Sequence, residues 1–166
     1  MTSPGFRIRP FRPADLAAVL AVERPSFRGD AYPGSLFLDY YRRGALFLVA
    51  EAAGAVAGYS LAWTGAGRAE LVSIAVAPSH RRAGAGKALL EGTLRRLRRR
   101  GAGRVSLMVK TTNEAAQRFY DSFGFRRVRR VRGYYEDGSD GFLMLREAAF
   151  TGTGAASRTL YRQKPR

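Results

Sequence analysis

The turn Arg81-Arg82-Ala83-Gly84-Ala85-Gly86-Lys87 follows closely on an apolar run, Leu71-Val72-Ser73-Ile74-Ala75-Val76, and opens a segment with helical periodicity. A buried strand that passes through a basic, glycine-bearing turn into a helix is suited to hold a phosphate. Glycines let the backbone approach an anion closely, and a helix N-terminus offers unpaired N–H groups and the positive end of a dipole. The turn is not a Walker sequence, because Gly86-Lys87 is followed by Ala88 instead of Ser or Thr and the spacing from Gly84 is short. Nor does it carry the three glycines in six residues of a dinucleotide fingerprint. The single histidine, His80, stands in Pro78-Ser79-His80-Arg81 and reads as a surface residue near the phosphates. Zero cysteines exclude disulfides, a Cys-type zinc site and a thiol nucleophile; they fit a cytoplasmic protein, and no metal is expected.

The elements that must position this turn follow from periodicity and punctuation. Phe6-Arg7-Ile8-Arg9 alternates as a strand, and Pro13 to Arg24 reads as an amphipathic helix with Leu16, Val19 and Leu20 on one face. A loop rich in turn formers, Pro25 to Gly34, precedes a short helix from Ser35 to Arg42. Its aromatics, with those of the short helix (Phe27, Tyr32, Phe37, Tyr40 and Tyr41), divide between a substrate entrance and the core. Leu46 to Glu51 and Val56 to Trp63 are strands joined by a hairpin at Ala53-Gly54, and Glu70 to Val76 is the next strand. From Gly84 to about Arg100, Leu90, Leu94 and Leu97 share a helix face that excludes most of the arginines, and Gly101 ends the helix. Strand Arg104 to Val109, helix Asn113 to Phe123, and strands Phe125 to Val131 and Phe142 to Leu145 complete the order β-α-α-β-β-β-α-β-α-β-β, an α/β (α+β) chain.

At 166 residues and 46% hydrophobic content the chain is the size of one domain with its own core, taken as residues 1–150, followed by a flexible basic tail, 151–166. The start lacks the apolar core of a signal peptide, and no apolar run approaches the roughly 20 residues that span a bilayer, so no membrane partner is expected. Net charge is +16, and between Arg81 and Arg132 sixteen Lys or Arg face only Glu91, Glu114 and Asp121. That excess exceeds what one nucleotide-bearing ligand can use. It points either to a nucleic-acid or ribosome contact or to a solvated arginine-rich face.

A second motif narrows the reading of the turn: Asn113-Glu114-Ala115-Ala116-Gln117-Arg118-Phe119-Tyr120-Asp121-Ser122-Phe123-Gly124-Phe125, just after the strand Val105 to Val109. Together the two resemble the GNAT superfamily of acyl-CoA N-acyltransferases, from about Phe6 to Leu145 and most closely from Leu71 to Phe125. The resemblance implies a central, mixed, mostly antiparallel twisted sheet of about seven strands flanked by about four helices. It implies acetyl-CoA as co-substrate, with Ile74, Ala75 and Val76 along the pantetheine arm. Arg81, Arg82, Ala83, Gly84, Ala85, Gly86 and Lys87 would hold the pyrophosphate, and Asn113 and Tyr120 would lie near coenzyme and thioester. Within the superfamily the chain looks like the ribosomal-protein alanine acetyltransferases and the archaeal N-terminal protein acetyltransferases. Glu23 with Phe27, Ser73-Ile74-Ala75-Val76, and Gly133-Tyr134-Tyr135-Glu136-Asp137-Gly138-Ser139-Asp140 carry that likeness. In those relatives the two loops grip the start of a peptide, which makes Glu23, Phe27, Tyr32, Tyr134 and Tyr135 candidate substrate contacts.

The chain departs from its relatives at Met108, where they often keep a Glu or His that serves as base. A thioether cannot take the proton that an ammonium must lose before it attacks a thioester. Glu70, at the start of the fourth strand, is the first substitute and Glu23 the second; Tyr120 is the candidate general acid for the departing thiolate. The expected activity is direct acetyl transfer in a ternary complex to a primary amine, most simply a protein or peptide N-terminus, by a monomer or homodimer. Lysine side chains, a small amine, or a non-catalytic nucleic-acid or ribosome-binding module are the alternatives.

Overall fold

The computed structural model describes residues 5–147, in two compact units that meet in sequence between Ala102 and Gly103. The first unit holds β1 (Arg7–Pro10), α1 (Leu16–Ser26), α2 (Gly34–Arg42), β2 (Leu46–Ala52), β3 (Ala55–Gly65), β4 (Arg68–Val76) and α3 (Ala85–Arg99). Its strands pair in that order, all antiparallel. Two-residue hairpins at Ala53-Gly54 and Ala66-Gly67 have positive φ at both residues, the geometry that matches strand twist. A register shift between Leu61 and Ala62 lets Ser73 face Leu61 while Leu71 faces Ala62.

Helices α1 and α2 cover an aromatic core. Phe11 stacks on Phe47 at 3.9 Å, and Phe37 and Phe47 meet the Tyr59 ring edge-on at 5.4 and 6.0 Å. Helix α3 buries Ala85, Leu89, Leu90, Thr93 and Leu97 and packs on β2, β3 and β4. Of the three leucines expected on its face, Leu94 is only half-buried; the stripe passes instead through Leu89 and Thr93, whose hydroxyl pairs with that of Ser60 at 2.7 Å. Glycine at position 58 permits this approach: a Cβ there would lie 2.7 Å from the Ala75 carbonyl oxygen and 3.1 Å from Leu89 Cδ1. Gly101, at φ 82°, ends α3, and Ala102 N–H donates back to the Leu97 carbonyl at 3.0 Å.

The second unit holds β5 (Arg104–Lys110), α4 (Glu114–Asp121), β6 (Arg126–Val131) and β7 (Gly141–Glu147), with β7 antiparallel to both β5 and β6. Asn113 caps α4, its Oδ1 accepting from Ala116 N–H at 3.1 Å. Gly124, at φ 84°, turns the chain out of α4 so that Phe125 is wholly buried. The described residues thus contain seven strands and four α-helices, as expected; the basic tail, 151–166, lies outside them.

Candidate active site

The expected phosphate turn begins where β4 ends. Ala77 N–H donates to the Ala57 carbonyl at 2.8 Å, and Pro78–His80 form one tight 3-10 turn. Two residues then enter the left-handed region, Arg82 at φ 63° and Gly84 at φ 93°. Left-handed residues interleaved with ordinary ones gather backbone N–H groups into an anion-binding concavity. Gly84 is the N-cap of α3 and brings no side-chain oxygen to its first-turn amides, which leaves them suited to an external anion. Arg81 braces the turn from within. Its Nε donates to the Val76 carbonyl at 3.1 Å and Nη2 to Ser26 Oγ at 3.3 Å, closing the turn against β4 and the end of α1. Arg82 and Lys87 are exposed, and Lys87 is only 4.0 Å from Glu91 one turn on. His80 is half-buried, edge-on to Phe6 at 6.3 Å with Ser79 Oγ 3.0 Å from its Nδ1.

On β4, Ala75 is buried while Ile74 and Val76 are half-buried. Glu70, also half-buried, pairs across the ladder with Trp63. It stands six residues before Val76, about 20 Å along an extended strand, so it belongs to the opposite end of β4 from the phosphate turn.

Glu23 is 1% exposed and sits under the loop that follows α1. Its carboxylate accepts from Tyr32 N–H at 2.8 Å and from the Tyr59 hydroxyl, and that hydroxyl also lies 2.7 Å from Ser73 Oγ. Burial, and then the Glu23 charge, push the Tyr59 phenol well above its ordinary value. Tyr32 is 8% exposed and packs edge-on to Phe37, and Phe27 packs against the same core. The network therefore ties α1 and its loop to β3 and β4. Sequence reasoning missed Tyr59 and met Ser73 only as part of a motif, without its partner; a tyrosine and a serine inside otherwise apolar strands were the available signal.

In the second unit Tyr120 is half-buried between Phe119 and Phe125, at 5.4 and 5.9 Å, and desolvation raises its phenol above the ordinary value. The phenol therefore keeps its proton at neutral pH. Gln117, unremarked in the sequence, donates from Nε2 to the carbonyls of Lys110 and Thr111 at 3.1 and 3.0 Å and so fixes α4 to the end of β5. Tyr134 is half-buried and stands edge-on to the buried Tyr135 at 5.0 Å, with Lys110 Nζ 5.0 Å from the Tyr135 ring centre. Lys110 also bonds Asp137 at 2.8 Å, which holds that carboxyl far below its usual range with help from Ser139. Met108 joins this group: its methyl fills the space where a Cβ on Gly141 would be, 2.7 Å away, and the two tyrosine rings come within 3.4 Å of the same point. A methionine at this position is therefore packed beside the paired tyrosines as an apolar wall.

The profile of the Acetyltransferase (GNAT) family matches residues 16–125, two thirds of the chain and parts of both units. The chain belongs to the GNAT family. It is 37% identical over 143 residues to an uncharacterised N-acetyltransferase of Methanocaldococcus jannaschii, covering 84% of this chain and 90% of that protein. It is 33% identical over 153 residues to the N-alpha-acetyltransferase of Sulfurisphaera tokodaii, covering 84% and 91%. Among solved structures, the ribosomal-protein-S18-alanine N-acetyltransferase of Escherichia coli superposes with a TM-score of 0.81 at 27% identity, covering 92% of this chain and all of that one. These are the two GNAT branches the motifs suggested, and the chain is an N-acetyltransferase of that family. No described helix is long and apolar enough to cross a membrane, and among the described residues no group of three or more His, Asp or Glu is placed to hold a metal ion.

Proposed function

We propose that this GNAT enzyme moves acetyl from acetyl-CoA to the α-amine of a protein or peptide by direct attack. The observation that carries the coenzyme part is the pair of left-handed residues, Arg82 and Gly84, in front of an N-terminus of α3 that has no side-chain cap. These features suit a pyrophosphate, with Arg82 and Lys87 supplying charge. The family resemblance adds the backbone of Ile74, Ala75 and Val76 along the pantetheine arm and Asn113 near it. Acetyl-CoA supplies the acetyl group activated as a thioester.

For the protein's own part, Glu70 accepts the proton that the acceptor ammonium must lose, directly or through one water. The amine nitrogen then bonds to the acetyl carbon as the carbon–sulfur bond breaks, Tyr120 gives its phenolic proton to the leaving sulfur, and the second proton that the nitrogen sheds on becoming an amide returns through water to restore the phenol. The raised phenol is protonated across neutral pH, so the group stands in its acid form when the thiolate departs. Met108, packed beside Tyr134 and Tyr135, offers no proton acceptor, which moves the base elsewhere. The α-amine is favoured over lysine or a small amine because one relative is named an N-alpha-acetyltransferase and another an N-acetyltransferase of an alanine in ribosomal protein S18.

The test is a CoA-release screen across peptide N-termini, lysine peptides and small amines, repeated with Tyr120→Phe. Turnover is expected on peptide N-termini, with roughly a hundredfold loss of kcat in the variant and the KM for acetyl-CoA kept. Equal turnover on small amines would remove the acceptor assignment, and an unchanged rate in the variant would remove Tyr120 from the proton path.

A further inference from the structure

At the far end of α3 from the phosphate turn lies a cavity of about 470 Å³. Its walls are the junction of β1 and β2, the turn after α2, and the last turn of α3, which contributes Arg96, Arg99 and Arg100. No acidic residue lines it, and none of these three arginines makes an ion pair among the described residues. Two of them are fixed. Arg100 donates to the Gly44 carbonyl at 3.1 Å and Arg96 to the Gly92 carbonyl at 3.3 Å, so their guanidinium groups do not simply trail in solvent.

Helix C-termini favour cations, and a charge or two here would need no further account. The residues from 95 to 100 hold five arginines, however, and Arg96 is half-buried with its proton affinity lowered by burial and then by the charges of Arg95 and Arg99. Like charges held together beside a cavity are relieved by an anion. The same cavity is lined by Tyr41, 40% exposed, whose ring rests edge-on against buried Phe11 at 5.4 Å. Phe11 is in turn stacked on Phe47, so the tyrosine stands on a rigid aromatic base. A supported aromatic ring next to clustered guanidinium groups recognises a planar base joined to a phosphate. Arg95 and Arg98 continue the charge along the exposed side of α3 beyond the cavity, which favours a strand of linked phosphates over a lone nucleotide.

We propose that this cavity and the arginines around it bind single-stranded nucleic acid, one base resting on Tyr41 and its flanking phosphates on Arg96, Arg99 and Arg100. The site is independent of the coenzyme reading, because Arg96 and Arg99 stand about 17–21 Å along α3 from its start at the phosphate turn.

The full chain is titrated against fluorescein-labelled 12-mers of oligo(rA) and oligo(dA) by anisotropy, at 50 and 200 mM salt, with and without saturating acetyl-CoA. Wild type should bind at low salt, lose affinity steeply at high salt and be indifferent to acetyl-CoA; the two oligomers show whether ribose matters. Tyr41→Ala should weaken binding at least fivefold with the salt slope kept, as expected for lost stacking. Arg99→Gln should weaken it and reduce the slope by about 0.7, one phosphate's share on a single strand. Arg126→Gln with Arg129→Gln on β6 should leave the Tyr41 effect intact. Absence of low-salt binding overturns the proposal. So does displacement by acetyl-CoA, or binding by correctly melting Tyr41→Ala and Arg99→Gln variants equal to that of wild type.

Discussion

Gly58→Ala joins the packing of α3 to the strand proposed to carry the coenzyme. The added methyl carbon would stand 2.7 Å from the Ala75 carbonyl oxygen, 3.3 Å from Val76 Cα and 3.1 Å from Leu89 Cδ1. Leu89 can change rotamer, but the Ala75 oxygen is backbone and moves only if β4 moves. Overpacking of this kind costs about 1–3 kcal/mol, against a gain of about 0.5–1 kcal/mol from replacing glycine in a strand interior. A backbone clash belongs near the top of the first range, so a net loss of about 2 kcal/mol is expected, or a fall in Tm of roughly 4–8 °C for a chain of this size. Because Ala75 and Val76 are displaced, the KM for acetyl-CoA should rise more than kcat falls. Thermal melts with and without acetyl-CoA, followed by steady-state kinetics, read both effects. A Tm equal to or above wild type would refute the packing argument; a lowered Tm with KM unchanged would detach the 74–76 backbone from the coenzyme.

Tyr59→Phe removes one donor from the buried Glu23 carboxylate and the partner of Ser73, and should cost about 1.5–3 kcal/mol in urea unfolding. Arg9, bonded to Asp15 at 2.8 Å, lowers that carboxyl below its ordinary value. A depressed carboxylate contributes stability that is complete above its unfolded pKa of about 3.9 and is lost as pH falls through the folded value. Asp15→Asn should therefore flatten the acid limb of a stability–pH curve below about pH 4 and lower stability at neutral pH. Asn113→Asp keeps the N-cap oxygen but removes the amide donor, so it should melt like wild type and raise the KM for acetyl-CoA; Asn113→Ala should also lose about 1 kcal/mol.

Local order was legible wherever a single segment decides it. The Ala53-Gly54 hairpin, the stop at Gly101 and the start of α4 next to Asn113 each depend on a few neighbouring residues, and each forms as the sequence indicates; that Asn113 serves as the cap is added by the structure. Partners far apart in sequence were not legible. Glu23 meets Tyr59 across 36 residues, a pairing that no local pattern announces. The same holds for Tyr32, a candidate substrate contact from its loop, whose ring is buried against Phe37 while its backbone N–H bonds Glu23. Met108 was identifiable as a departure from relatives, but its packing against Gly141 emerges only from the pairing of β5 with β7.

Acetyl transfer to an α-amine is read by incubating the protein with acetyl-CoA and a peptide that carries both a free α-amine and an internal lysine, then locating the acetyl group by fragment mass spectrometry. One acetyl group on the α-amine is expected, and no product when that amine is blocked. Acetylation of the lysine, or of neither amine while a small amine is turned over, would contradict it.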